Sequence, residues 1–113
     1  MAVQVDGKVM SSVVGALRAL TAHARIAGAF VFGSRVEGVA DVYSDIDLAV
    51  FVEGAEQWDM SRRARTAARV QEEAGDDIEL HFFPATALEH SEPASFATYV
   101  KEHGVRVPVE TGA

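Results

Sequence analysis

The chain has 113 residues, 49% of them hydrophobic and 24% charged, with a formal net charge of −7. That size supports one domain around one core, and the balance is that of a globular chain, not a disordered one. The lack of cysteine excludes disulfides, thiolate metal sites and cysteine nucleophiles, and the acidic balance excludes a strong non-specific grip on nucleic acid, which needs Lys and Arg on phosphates.

In chain order, Val9, Val13, Leu17 and Leu20, with Val14 and Ala24 beside them, recur at helical spacing and predict a helix over residues 7–26. Asp6 is its expected N-cap and Gly28 its expected end. Residues 29–32 read as a short first strand. It breaks at Gly33-Ser34, and residues 33–40 form a loop and short helix. The run Ser44-Asp45-Ile46-Asp47-Leu48-Ala49-Val50-Phe51-Val52 is the second strand. Ile46, Leu48, Val50 and Val52 fall on one face, and Asp45, Asp47, Ala49 and Phe51 on the other.

Residues 57–74 predict an Ala- and Arg-rich helix with Trp58, Ala64, Ala67, Val70 and Ala74 inward, ended by Gly75. Its Arg62, Arg63, Arg65 and Arg69 read either as a solvated face paired with Glu72 and Glu73 or as a binding surface. A third strand over 77–83 alternates Ile78, Leu80 and Phe82 with Asp77, Glu79 and His81, and Pro84 stops it. Short helices over 85–90 and 94–103 come next, the second with Phe96, Tyr99 and Val100 as its apolar side. Residues 105–109 suit a last edge strand, and 110–113 a frayed tail. No apolar run approaches the ~20 residues of a membrane span. The N-terminus lacks a signal peptide's apolar core. The expected compartment is the cytoplasm.

Asp45 and Asp47 stand two apart on a strand, so their carboxylates point the same way and repel. Aspartate is depleted in strands, and the usual partner that offsets such a pair is a divalent cation with oxygen ligands. Gly33 lets the backbone approach a ligand closely, and Ser34 offers a hydroxyl and N–H groups to an anion. A phosphate cradle beside paired carboxylates is what metal-dependent phosphoryl or nucleotidyl transfer requires.

Gly33-Ser34-Arg35, Gly38 and Ser44-Asp45-Ile46-Asp47-Leu48 together resemble the signature of the nucleotidyltransferase superfamily that includes DNA polymerase β, nearest its minimal nucleotidyltransferase group. The resemblance implies an α/β fold with a mixed sheet of about four strands and helices mainly on one face. It implies transfer of a nucleoside monophosphate from an NTP, ATP foremost, to a hydroxyl, with two Mg²⁺ ions. Gly33 and Ser34 would hold the β- and γ-phosphates, with Arg35 adding charge. Ser44 would orient Asp45 or cap the turn. Asp45 and Asp47 would hold the metals.

The family uses a third carboxylate from a neighbouring strand. In Gly75-Asp76-Asp77-Ile78-Glu79-Leu80 that place falls to Glu79, a longer arm than the usual Asp, with Asp77 as the substitute. His81, on the same face, reads as an ordinary strand histidine, or else as a proton acceptor or substrate contact. Larger relatives add an acceptor-gripping domain. Here residues 1–113 are expected to be the catalytic core alone, so the grip would come from a second copy or a partner. Minimal nucleotidyltransferases are often paired with a helical HEPN-type toxin, which they bind or adenylylate. Two rival functions are therefore an antitoxin-type module and a nucleotide-binding domain without turnover.

Overall fold

The computed structural model describes residues 6–33 and 45–109. Ser34, Arg35, Gly38 and Ser44, and the tail over 110–113, lie outside the described residues. The element order is α1 (Gly7–Leu20), β1 (Ile26–Phe32), β2 (Ile46–Val52), a 3-10 turn (Ala55–Gln57), α2 (Met60–Ala74), β3 (Ile78–Pro84), α3 (Thr86–Glu89), α4 (Phe96–His103) and β4 (Val105–Val107). The strands form one sheet in the order β3-β2-β1-β4. β1 runs antiparallel to β2 and β4, and β2 runs parallel to β3. The sheet is mixed because the link from β2 to β3 carries α2, and parallel neighbours need such a crossover.

Strand alternation divides the core as the sequence pattern requires. Ile46, Leu48, Val50 and Val52 join Ala29, Val31 and Ile78 under Val13, Leu17 and Leu20 of α1 and Val70 of α2. On the other face Phe30, Phe32, Ala49 and Phe51 pack with Ala97 and Val100 of α4. The two long helices therefore cover one face, and the short α3 and α4 part of the other. Polar side chains start α1, α2 and α4, Asp6 as expected. Asp6 accepts from the Lys8 N–H at 2.8 Å, Asp59 from the Arg62 N–H at 2.8 Å and Ser95 from the Thr98 N–H at 3.2 Å. Among the described residues no helix is long and apolar enough to cross a membrane.

Several expectations are corrected. The first helix stops at Leu20, not residue 26, and Gly28 does not end it but lies inside β1. Residues 22–27 have helical propensity, yet pairing with β2 prevails: Glu53 N–H donates to the Arg25 carbonyl at 2.9 Å, and Ile26 pairs with Val52. A register shift between Ile26 and Gly28 inserts one residue. It lets Ile26 face α1 while Gly28 lies against Leu88 on the opposite face. A Cβ on Gly28 would stand 3.0 Å from Leu88 Cδ2.

The expected helix over 57–74 begins only at Met60, because Ala55–Gln57 forms a 3-10 turn and Asp59 caps the α-helix itself. Ala64 is exposed, and Thr66 takes the buried position instead. The apolar side of α4 is Ala97 and Val100, while Phe96 and Tyr99 are 48% and 39% exposed.

The four arginines of α2 do not act as one patch. Arg63 turns inward and donates to the carbonyls of Ala55 and Phe82, both at 3.1 Å. Arg62 lies over the Trp58 ring with its Cζ 4.2 Å from the centroid, and Arg65 bonds Ser61. Among the described residues none of them forms an ion pair with Glu72 or Glu73.

Candidate metal centre

The sheet register builds the site. Phe32, the last residue of β1, is opposite Asp47 on β2, and Asp47 is beside Glu79 on β3. On parallel neighbours, residues in register present their side chains to the same face. His81, two positions beyond Glu79, shares that face. The outcome is that donor atoms of Asp47, Glu79 and His81 all lie within 4.8 Å of one another.

Asp47 is bonded at one oxygen and faces a glycine at the other. His81 Nε2 lies 3.1 Å from Oδ1, with each side chain 24% exposed. With the carboxylate ionised, the imidazole N–H is the donor. Oδ2 faces Gly33, whose φ is +80° and on which a Cβ would stand only 2.5 Å from that oxygen. Glycine is thus required twice here, by the backbone conformation and by the space the carboxylate fills. The His81 ring is fixed by edge-on contacts with Phe32, at 5.0 Å between centroids, and Phe96, at 5.7 Å.

Asp45 stands just before β2 and is exposed. Among the described residues it is not one of the three whose donor atoms gather. The Asp77 main chain anchors β3, its carbonyl accepting from Ile46 N–H at 2.7 Å. Its carboxylate bends back over the turn, Oδ1 lying 3.0 Å from where a Gly75 Cβ would be. Of the two candidates for a third carboxylate, the structure gathers Glu79 with Asp47. His81, which by sequence reads as an ordinary strand histidine, a proton acceptor or a substrate contact, is the third member. Its same-face spacing from Glu79 was the available signal, but the partner 34 residues away on β2 appears only with the register.

The donor set fits a divalent cation. Two carboxylates this close, one of them exposed, repel by up to about 1 kcal/mol, and a cation between them reverses the sign. Ligands about 2.1 Å from one ion lie about 3.0 Å apart when adjacent and about 4.2 Å when opposite. The 3.1 Å separation of Nε2 and Oδ1 and the 4.8 Å limit on all three donors are within small rotamer adjustments of those values.

Beyond His81, an open groove of about 380 Å³ passes over the outer edge of β3, between Met60 and Arg63 on one side and Phe83 and Phe96 on the other. Residues 17–105 match the family model described as "Polymerase beta, Nucleotidyltransferase", well over half of the chain. No curated protein matches it.

Proposed function

The chain belongs to the polymerase beta nucleotidyltransferase family, and from that premise we propose that it transfers a nucleoside monophosphate from an NTP, with ATP the first candidate, to a hydroxyl acceptor. The observation that carries the reading is the side-by-side placement of Asp47 and Glu79 on parallel strands, with Gly33 closed against Asp47. Asp47 and Glu79, joined by Asp45, are assigned to hold divalent cation, Mg²⁺ by the family resemblance. When bound, such a cation neutralises the triphosphate and makes the α-phosphorus a better electrophile.

The chain's own groups supply the rest. Gly33 and Ser34 are assigned to the β- and γ-phosphates, with Arg35 adding charge, and Ser44 to orienting Asp45 or capping the turn. Glu79 takes the proton as the acceptor oxygen bonds the α-phosphorus and the bond to the β-phosphate oxygen breaks, releasing pyrophosphate. The test is incubation with Mg²⁺ and each α-labelled NTP, with and without a lysate of the source. Label should pass to an acceptor and be lost in Asp47→Asn. Equal labelling by that variant overturns the assignment.

An alternative rests on the exposed apolar surface beside the site, where Met60 is 80% and Phe96 48% exposed. In that reading residues 1–113 form one module whose acceptor is a helical HEPN-type partner, bound or adenylylated on a tyrosine. Copurification of such a partner, lost in Phe96→Asp, would favour it; a chain that copurifies alone counts against it.

A further inference from the structure

An imidazole nitrogen is an unexpected third donor for a site whose family chemistry runs on oxygen ligands and Mg²⁺. Mg²⁺ is hard, holds its water tightly and favours oxygen. Imidazole suits the later first-row transition cations, Fe²⁺, Ni²⁺, Cu²⁺ and Zn²⁺. His81 is placed as a ligand would be. It shares a face with Glu79, it approaches Asp47 to 3.1 Å through Nε2, and Phe32 and Phe96 fix its ring plane. We propose that His81 Nε2 is a ligand of the metal held by Asp47 and Glu79, and that it makes this site select a first-row transition cation over Mg²⁺. The inference rests on the proposed role of those two carboxylates as metal ligands.

Binding requires little rearrangement. Nε2 gives its lone pair to the cation, its proton being carried on Nδ1, the other tautomer of the neutral ring. Asp47 Oδ1, which accepted from Nε2–H, turns the same lone pair towards the cation. The distance between adjacent ligands on one ion is close to the 3.1 Å hydrogen-bond distance it replaces, so the two donor atoms have to turn from each other to the cation but not to separate.

The rival account is that His81 only orients Asp47 by a hydrogen bond. His81→Gln separates the two, since an amide N–H can still donate to Asp47 but offers no imidazole nitrogen. The probe is Mn²⁺ added to EDTA-treated protein without nucleotide, read by pulsed electron paramagnetic resonance. Wild type should show coupling of Mn²⁺ to a directly bound ¹⁴N, and His81→Gln should not. In competition, wild type should prefer Ni²⁺ to Mg²⁺, and the variant should lose at least about tenfold of that preference. Failure of Mn²⁺ to bind, absence of nitrogen coupling in wild type, or an unchanged Ni²⁺/Mg²⁺ ratio in the variant overturns the proposal. If the variant does not fold, the wild-type spectrum decides alone. A nitrogen-coupled Mn²⁺ with no nucleotide transfer sustains this inference and sinks the transferase. Mg²⁺-dependent transfer without nitrogen coupling does the reverse.

Discussion

Gly33 is the residue on which local geometry and candidate chemistry coincide. Its φ of +80° lies where side chains are disfavoured, and the missing Cβ leaves the space that Asp47 Oδ2 occupies. Gly33→Ala therefore carries a backbone cost of about 1–2 kcal/mol and also pushes the carboxylate off its position. The expected result is a modest fall in thermal midpoint with a disproportionate loss of divalent-cation binding, measured by calorimetry. A change in stability with cation affinity intact would mean that Gly33 serves only the turn. Glu79 gives the opposite sign. It is exposed and repelled by Asp47, so Glu79→Gln should leave the cation-free protein as stable as wild type or slightly more so, by less than about 1 kcal/mol. It should weaken the stabilisation that added Mn²⁺ or Mg²⁺ provides. Melting curves with and without cation read both effects. Both carboxylates could be found in the sequence because strand parity places them. Their mutual contact could not, since the register of β2 against β3 is a property of the whole crossover.

At the scale of elements, β3 is an edge strand, and α2 guards its open side. The carbonyls of Asp77, and by alternation Glu79 and His81, turn towards β2, while those of Ile78 and Phe82 turn outward. Gln71 Nε2 donates to the Ile78 carbonyl at 3.0 Å and Arg63 to that of Phe82 at 3.1 Å. Side chains that occupy edge acceptors remove the template for pairing with another chain. Arg63→Met keeps bulk but strips hydrogen bonds from half-buried carbonyls. It should cost about 1–3 kcal/mol and raise the tendency to self-associate, seen in a denaturant melt and by light scattering. Sequence reading placed Arg63 with three other arginines because a helical face of like charges looks solvated. Only the packing of α2 across β3 shows that one of the four points inward. The same limit explains the first helix. Val9 to Leu20 is legible as an amphipathic face, but the stop at Leu20 is set by the pairing of Ile26 with Val52, which no local propensity encodes.

The whole molecule separates its stability from its site by sheet face. The core under α1 and α2 holds Val13, Leu20, Ile46, Leu48 and Val70. The opposite face carries the carboxylates at the end where β1 finishes and the aromatic packing of Phe30, Phe51 and α4 further along. Leu20 is fully buried, so Leu20→Ala should cost about 2–5 kcal/mol. In a domain of this size that is a fall in midpoint on the order of 10 °C or more. It should leave cation affinity unchanged at temperatures where the variant is folded, since Leu20 packs on the sheet face opposite Asp47, Glu79 and His81. Phe96→Ala should do the converse. Phe96 is 48% exposed and buries less apolar area, so its loss costs less stability, yet it removes one of the rings that fix His81. The expected outcome is a small change in midpoint with weakened Mn²⁺ binding. Parallel losses of stability and affinity in both variants would show that the two faces are coupled through the sheet, and that the site depends on the global packing more than on the aromatic contacts around His81.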